Sequence, residues 1–275
     1  MLFKEEELGA TLLIADLHIG YVYERHRRGI ILPRSQRAEN ELLSLTKSLK
    51  PKNVIILGDF KDEIFGAAPA LARRIWDFLE ELLTITEVTI IKGNHDGKID
   101  EIIPARVKVI PSTGLVLTAA HGGKSIGLWH GHATPRLEVF NAEITISGHA
   151  HPAYYFTEIF SRGMKEKVWI KAKWTTKKEK NDQEKELGKS QRTHIIMPAF
   201  NKYIKGLSVD SDSFLELIYF KEALDILNAE VFTLEGVLLG TIKELQELRR
   251  KEAQVKVEQM KEITALKKRR GKSTK

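Results

Sequence analysis

The sequence predicts an α/β protein built around a sheet of parallel strands. Through the first hundred residues, short apolar runs alternate with helix-length amphipathic segments. Most of these apolar runs lead into a polar cluster that contains glycine or aspartate. Because strands and helices alternate along the chain, the strands are expected to pair in parallel through right-handed crossovers.

The individual elements follow from the spacing of the apolar residues. We predict strands where β-branched and aliphatic residues cluster, and helices where apolar residues recur every three or four positions. Pro51 follows the end of the first helix, and strands and turns replace helices after Pro104, where we expect antiparallel pairing. The predicted strands are 11–15, 53–57, 88–91, 107–110, 115–120, 125–129 and 143–147, and the predicted helices are 36–49 and 67–83.

A charged segment interrupts the second half of the chain. Residues 165–192 include 10 Lys or Arg and 5 Asp or Glu, and they separate the apolar stretches 153–160 and 195–200. We predict a protruding hairpin, with 168–174 as one strand and 175–190 as a solvated tip, because the tip is too long and too charged for a core.

The remaining segments complete the predicted organisation. Strands are expected at about 214–220 and 230–233, and a helix-like segment covers about 241–268. The expected organisation is a catalytic domain over 1–240, with the charged hairpin inserted at about 161–193, and a basic helical extension over 241–275.

Composition excludes several classes of protein. The 275 residues contain no cysteine, so disulfides and thiolate metal sites are excluded, and His, Asp, Asn or Glu would have to hold any metal. The excess positive charge lies in 241–275, which has 12 Lys or Arg and 5 Asp or Glu. This segment is either an attractor of a polyanion such as DNA or RNA, or a solvated terminus. Without a long apolar run or a signal-peptide pattern, the chain is expected to be cytoplasmic and not membrane-bound.

Five polar clusters follow apolar runs, and together they indicate a metal site. Each cluster taken alone is compatible with an ordinary turn. Together they supply carboxylates, an amide and imidazoles at the carboxyl ends of strands, where α/β proteins bind ligands. The clusters are Asp16-x-His18, Gly58-Asp59, Gly93-Asn94-His95-Asp96, His130-Gly131-His132 and Gly148-His149-x-His151.

The chemistry of these side chains predicts phosphoester hydrolysis. Oxygen and nitrogen ligands without thiolate suit manganese, iron or zinc, and one carboxylate can bridge two ions. Two metal ions about 3.5–4 Å apart can activate water and clamp the oxygens of a phosphoryl group during displacement.

The ordered set of five clusters resembles the calcineurin-like metallophosphoesterase superfamily. This resemblance spans Asp16 to His151 and implies a four-layer α/β/β/α sandwich with mixed sheets. Secondary motifs extend it to about residue 240 and are similar to archaeal SbcD-related phosphoesterases and bacterial PdeM-type proteins. Those motifs are Asp16-Leu17-His18-Ile19-Gly20, Arg27-Arg28-Gly29-Ile30, Pro33, Gly58-Asp59-Phe60-Lys61 and Met197-Pro198-Ala199-Phe200.

The resemblance also implies two divalent metal ions, manganese first, with iron or zinc as alternatives. A hydroxide between the ions would be the nucleophile. His95 would protonate the leaving oxygen or stabilise charge on the phosphoryl group, and Asp96 would orient the ring of His95. The implied ligands are Asp16, His18 and His151 for one ion, Asn94, His130 and His149 for the other, and Asp59 as the bridge.

One position departs from the pattern of the similar proteins, and several other histidines need an interpretation. Asp62 stands where those proteins have histidine, so it either hydrogen-bonds a ligand histidine or is a surface carboxylate. His121 fits a turn, His194 fits a structural role, and His132 is a candidate outer-site residue. Either substrate phosphate or solvent would face the basic group Arg25, His26, Arg27 and Arg28.

A strand that mixes lysine with tryptophan has two interpretations. The alternation can bind a single nucleic-acid strand through phosphate contacts and stacking, or it can place one apolar face on the core. The residues concerned are Trp169, Lys171, Lys173 and Trp174.

The sequence therefore predicts a metal-dependent phosphodiesterase, with nucleic acid as the candidate substrate and DNA repair as the context of the similar proteins. The alternatives are a phosphomonoesterase or small-nucleotide phosphodiesterase, a non-catalytic scaffold of the same fold, and a nuclease subunit that acts with an ATPase. A scaffold would not need the complete ligand set and His95, both of which are present. The oligomeric state is left open.

Overall fold

Two β-sheets lie face to face, and helices cover the outer face of each. The computed structural model describes residues 1–5, 9–32, 37–64, 66–119, 122–156, 163–175, 192–218 and 220–270, with the side chains of the last helix through Lys261. Three buried clusters fill the spaces between helices and the first sheet, between the sheets, and between the second sheet and its helices. The predicted four-layer α/β fold is therefore confirmed.

The first sheet has five strands in the order β1-β2-β3-β4-β5, and β2 to β4 are parallel as the sequence predicts. Strand β5 also pairs in parallel, although antiparallel pairing was expected after Pro104. Strand β3 is buried along its whole length, which explains its unbroken aliphatic sequence. An antiparallel edge strand, β1, was not anticipated from the sequence. The strands are β1 Leu2–Glu5, β2 Gly9–Ala15, β3 Asn53–Leu57, β4 Glu87–Ile91 and β5 Lys108–Ile110.

Three helices connect these strands. Helix α2 ends where Lys50 adopts a left-handed conformation before Pro51, and helix α3 begins with Pro69 in its first turn. The apolar stripe of α3, which includes Ile75 and Leu79, packs against the outer face of the first sheet. The helices are α1 Tyr21–Arg27, α2 Ala38–Leu49 and α3 Pro69–Leu83, and a 3-10 turn covers Ile99–Glu101.

The second sheet has nine strands, and its pairing is mixed. Strands β6 and β7 are antiparallel, but β7 pairs with β8 and β8 with β11 in parallel, so the expectation of antiparallel pairing is only partly right. Strand order runs β12-β9-β10-β11-β8-β7-β6, with β13 and β14 joined through β10. The strands are β6 Leu115–Thr118, β7 Ser125–Leu128, β8 Ile144–Ser147, β9 Pro152–Phe156, β10 Met164–Lys173, β11 Thr193–Ile196, β12 Leu207–Ser208, β13 Glu230–Thr233 and β14 Leu238–Thr241.

The predicted hairpin does not protrude at its first strand. Strand β10 lies inside the second sheet and pairs with β9, β11 and β13. Its residues Val168, Ile170 and Ala172 are fully buried, which matches the interpretation of one apolar face. Lys171 faces outward and pairs with Glu230 at 3.0 Å. Most of the predicted tip falls within 176–191, outside the described residues.

Residues 214–220 were predicted as a strand, and this was wrong. The segment begins as helix α5, Asp212–Leu217, because the Ser211 hydroxyl caps it by accepting the Phe214 amide at 3.3 Å. Strand β13 matches the prediction, and its partner β14 supplies the pairing that 214–220 was expected to make. Two further short helical segments on this side are α4 Leu137–Phe140 and a 3-10 turn at Lys221–Ala223.

The last helix, α6, covers Ile242–Arg270 and begins against the second sheet. Ile242 and Leu245 are buried, and Arg249 pairs with the buried Asp210 at 2.8 Å. Beyond this point the described side chains are mostly exposed. Among the described helices, none combines the length and apolar character that crossing a membrane requires.

His194 lies inside the second sheet, in the structural role expected of it. Its Nδ1 lies 2.9 Å from the hydroxyl of Thr145, its Nε2 lies 3.2 Å from the hydroxyl of Ser147, and its ring stacks on Trp129. Burial lowers the pKa of His194 to about 3. The folded protein therefore holds this imidazole neutral.

We expect His194 to make the protein acid-sensitive. An unfolded histidine takes up a proton below pH 6.5, and the folded one does so only near pH 3, so stability is fully present above pH 6.5 and is lost as pH falls. The loss attributable to this group is about 3 kcal/mol at pH 4. Urea unfolding of His194→Gln, followed by tryptophan fluorescence with chelator present, should show a flatter dependence on pH. Equal pH slopes for variant and wild type would contradict this account.

Candidate metal centre

The predicted site residues lie at one rim of the sandwich, where strands of both sheets end. Strands β2, β3 and β4 of the first sheet lead into the first three clusters, and β7 and β8 of the second sheet lead into the last two. Parallel pairing within each sheet aligns these carboxyl ends. The residues brought together are Asp16, His18, Asp59, Asn94, His95, Asp96, His130, His149 and His151.

Three groups of described side chains at this rim have the geometry to hold a cation, and two of them share Asp59. In each group the candidate ligand atoms all lie within 4.8 Å of one another. Of the two that share Asp59, one is Asp16, His18, Asp59 and His151, and the other is Asp59, His130 and His149, with the Asn94 amide oxygen 3.2 Å from His130 Nε2. The third group is His18, Asp62 and His95.

Fixed partners set the tautomers of three histidines. His130 Nδ1 donates to the Leu57 carbonyl at 2.8 Å, and His18 Nδ1 donates to the Asp62 carboxylate at 3.1 Å. His95 Nδ1 donates to the Asp62 carbonyl at 2.5 Å. With the proton on Nδ1, the Nε2 of each neutral ring keeps its lone pair, and such tethering is typical of metal-binding histidines.

The donor set fits a cation, because hydrogen-bond acceptors, which are electron-pair donors, face one another inside it. His130 Nε2 lies 3.3 Å from Asp59 Oδ1 and 3.2 Å from Asn94 Oδ1, and none of these three atoms can donate when the ring is neutral. Within the described part of the chain, the buried Nε2 atoms of His18 and His151 lie 3.5 and 3.1 Å from carboxylate oxygens of Asp59 and Asp16, without the geometry of a hydrogen bond. A shared cation would satisfy all these atoms at once.

The pKa values reflect the same convergence. Burial opposes charge on His130, but the hydrogen bond and charge of Asp59 raise the pKa of His130 to about 9. Burial favours a neutral Asp59, but His130 and His18 bring the pKa of Asp59 well below its usual value. Burial and the charge of His130 lower the pKa of His149 to about 4. In this arrangement a proton on His130 supplies positive charge beside Asp59, as a bound metal ion would.

The backbone at the site adopts unusual conformations. Five candidate ligands have positive φ, between 45° and 67°, a region that side chains with a Cβ rarely adopt. They are Asp16, His18, Asp59, His149 and His151. Such backbone strain is retained only where the surrounding structure enforces it. Here it is found at the residues whose side chains converge on the candidate metal centre.

Two glycines let neighbouring clusters approach closely. A Cβ on Gly93 would lie 2.2 Å from the Asp59 amide nitrogen, and one on Gly58 would lie 2.4 Å from the His130 ring. Asn94 and Asp59 are therefore each preceded by glycine, because atoms of an adjacent candidate ligand occupy the space where a Cβ would lie.

Asp96 does not orient the ring of His95, contrary to what the resemblance implies. Its carboxylate accepts the backbone amides of Phe60, Lys61 and Gly93 at 3.0, 3.3 and 2.7 Å. The Asp62 carbonyl contacts the His95 ring instead. Asp96 therefore joins the loops after β3 and β4, and it shapes the site through the backbone.

Asp62 hydrogen-bonds His18, as one of its two sequence interpretations proposes. Two supporting residues had no role assigned from the sequence. The buried ammonium of Lys61 donates to backbone carbonyls that include that of His95, at 2.5 Å. The Asn201 amide donates to the Leu17 carbonyl at 3.0 Å. Lys61 is the last residue of the motif Gly58-Asp59-Phe60-Lys61, and Asn201 directly follows Met197-Pro198-Ala199-Phe200. This position in or beside a motif was the sequence signal that could have indicated their roles.

The remaining histidines lie around this centre. The His132 ring lies 5.2 Å from that of His130 and 6.0 Å from that of His149, as an outer-site residue would. His26 Nε2 contacts the backbone of Leu32, which holds the end of α1. His121 falls outside the described residues.

The chain belongs to the calcineurin-like phosphoesterase superfamily. The family model for the calcineurin-like phosphoesterase superfamily domain matches residues 10–170, more than half of the chain. This segment contains both groups that share Asp59. Members of this class bind divalent metals, and the Asp and His groups described above could hold them.

Solved structures of other proteins align with this chain. Nuclease MPE of Pseudomonas putida is 18% identical, with 83% of this chain and 87% of that chain covered and a TM-score of 0.50. The phosphoesterase Yfce of E. coli is 18% identical, with 54% and 73% covered and a TM-score of 0.33. AQ665 of Aquifex aeolicus, a protein of unknown function, is 20% identical, with 51% and 78% covered and a TM-score of 0.36. No curated protein matches the chain.

We expect Gly93→Ala to weaken metal binding while the protein stays folded. The new methyl group would lie 2.3 Å from Asp59 Oδ1, so the shared carboxylate must move. Isothermal titration with Mn²⁺ should show at least a tenfold loss of affinity, and circular dichroism should show a retained fold. Gly29→Ala is the control for backbone strain without a clash, because Gly29 has a φ of +78° but nothing lies within 4 Å of the added Cβ, and it should bind Mn²⁺ as wild type does. Wild-type affinity in Gly93→Ala would refute the close approach as a constraint.

We expect Asp62→Asn to weaken metal binding at the group containing His18. The substitution removes the charge that holds His18 Nδ1, and loss of such a partner typically costs 10- to 100-fold in affinity. Calorimetric titration with Mn²⁺ should resolve one weakened site and one unchanged site. Asp100→Asn, at an exposed aspartate paired with Lys92, is the matched control and should bind as wild type does. Equal weakening in both variants would rule out the specific role of Asp62.

Proposed function

We propose that this protein is a metal-dependent phosphodiesterase that acts on nucleic acid at a dinuclear centre. The observation that carries the proposal is the pair of cation-binding groups that share the buried Asp59 carboxylate. We assign Asp16, His18 and His151 to one ion, Asn94, His130 and His149 to the other, and Asp59 to both. Manganese is the first candidate, and iron or zinc suits the same donor atoms.

The proposed ions supply the electrostatic part of the chemistry. Bound divalent ions act as Lewis acids on phosphoryl oxygens and bring the pKa of a coordinated water close to neutrality. The protein holds their ligands on tethered imidazoles and strained backbone, so little reorganisation is needed during the reaction.

His95 is the proposed catalytic acid. Its Nδ1 is held by the Asp62 carbonyl, so its Nε2 is directed away from that tether, 4.0 Å from Asp59 Oδ2. The ring is partly exposed, at 24%, where the candidate ligand His18 is almost completely buried, at 5%. A substrate in the opening can therefore reach Nε2, and the ring protonated on both nitrogens would give its Nε2 proton to the departing oxygen.

Charge supports nucleic acid as the substrate. The segment 241–275 has 12 basic and 5 acidic residues, and basic segments of this kind attract polyanions. The sequence motifs similar to SbcD-related and PdeM-type proteins suggest a role in DNA repair. Division of the chain into a catalytic domain over 1–240 and a basic extension is part of the same proposal.

A pair of artificial substrates tests the proposal. Hydrolysis of bis(p-nitrophenyl) phosphate should require added Mn²⁺, stop with chelator and exceed that of p-nitrophenyl phosphate. Asp59→Asn should lose both metal binding and turnover, because both groups share this carboxylate. His95→Ala should keep the metal stoichiometry and lower kcat by about 10²- to 10⁴-fold.

Asp77→Asn, at an exposed aspartate on α3, is the matched control and should retain wild-type kcat. Preferential cleavage of the monoester would replace the diesterase with a phosphomonoesterase. Absence of turnover with Mn²⁺, iron or zinc would favour the scaffold instead.

A further inference from the structure

A pair of tyrosines lies beside the group formed by Asp16, His18 and His151. The rings of Tyr21 and Tyr203 are nearly parallel, with 9° between their planes and 6.5 Å between their centroids. Both residues are half-buried. The guanidinium of Arg25 lies over the Tyr21 ring, 4.7 Å from its centroid.

Backbone contacts place both tyrosines beside the loop that carries two of the candidate ligands. The Tyr21 amide donates to the His18 carbonyl at 3.1 Å. On the other side, the Tyr203 amide donates to Asn201 Oδ1 at 3.1 Å, and the amide group of Asn201 reaches the Leu17 carbonyl. The tyrosine pair therefore flanks the loop that carries Asp16 and His18.

The topology places the second tyrosine at the same rim. Tyr203 follows β11, which runs parallel to β8, the strand that leads into His149 and His151. Its loop returns to the site where the Leu207 amide donates to the His151 carbonyl at 3.2 Å. The loop thus spans the distance between two of the candidate ligands of one ion.

The chemistry of this group matches a nucleobase beside a phosphate. Aromatic rings supply stacking surface that any base can use, and a guanidinium contributes both stacking and attraction to the phosphate backbone. Among the described residues, no carboxylate pairs with Arg25, whereas Arg27 on the same helix pairs with Glu24 at 3.2 Å. Within the part of the chain that the structure describes, the positive charge of Arg25 is therefore not neutralised by a neighbouring acidic group.

We propose that Tyr21, Tyr203 and Arg25 form a stacking platform for a base adjacent to the scissile phosphate of a single-stranded nucleic acid. The inference rests on the proposed function, because it assigns a substrate contact to the same site. It adds a selectivity that the metal ligands cannot supply: the base is recognised by stacking, and its identity matters little.

Binding without turnover tests the platform. Fluorescence anisotropy with a labelled oligothymidylate, in chelator, should show dissociation constants at least about fivefold higher for Tyr21→Leu and Tyr203→Leu than for wild type. An oligonucleotide of the same length with abasic sugars should bind equally to wild type and variants. Tyr21→Phe and Tyr203→Phe keep the ring and should restore wild-type binding.

Tyr23→Leu is the matched control, because Tyr23 lies on the same helix, is 41% exposed and belongs to neither contact. It should bind both oligonucleotides as wild type does. Equal weakening toward both oligonucleotides in the Tyr21 and Tyr203 variants would overturn the platform and leave the pair a packing contact. A wild type that does not prefer the base-bearing strand would overturn it as well. Base-dependent binding without hydrolysis in Mn²⁺, iron or zinc would refute the proposed function and retain the platform.

Discussion

The buried carboxylate of Asp59 is the constraint on which the site depends. It is 2% exposed, and its two oxygens face His130 at 3.3 Å and His18 at 3.5 Å. A buried anion is costly unless opposite charge compensates it, and here two groups of electron-pair donors meet at the same carboxylate. Protonated histidines or bound cations satisfy this arrangement. The fold therefore places this costly buried carboxylate at the position where the chemistry is proposed to occur.

Hydrogen bonds between the two sheets and within the first sheet hold this arrangement. Asp16, at the end of a strand of the first sheet, accepts the amide of His149, from the second sheet, with both oxygens at 3.2 Å. Asp96 and Lys61 join two loops of the first sheet through backbone contacts. Because these bonds are made to the backbone, they fix loop positions irrespective of the side-chain rotamers at the centre. The rigidity of the site thus comes from buried polar residues that do not face the proposed substrate.

The proposed metal centre and the proposed base-stacking platform lie at the same rim of the sandwich. Helix α1 begins directly after the loop of Asp16 and His18, and the loop after β11 returns to His151. Both segments contribute aromatic rings at that position. A diester substrate with bases would meet a partly exposed imidazole at one side and stacked tyrosines at another. The fold therefore allows substrate contacts to vary in loops without disturbing the strands that position the ligands.

Sequence by itself determined the parallel core and the residues that gather at the rim, because hydrophobic periodicity and strand-end clusters are local signals. The four-layer class was implied by the resemblance that those clusters carry. It did not reveal that β10 is an inner strand or that 214–220 begins as a helix, since pairing partners and a single Ser211 cap outweigh the apolar pattern. The roles of Asp96, Lys61 and Asn201 also came only from tertiary structure. Their partners are backbone groups far along the chain, up to 184 residues for Asn201, and backbone groups carry no sequence signature.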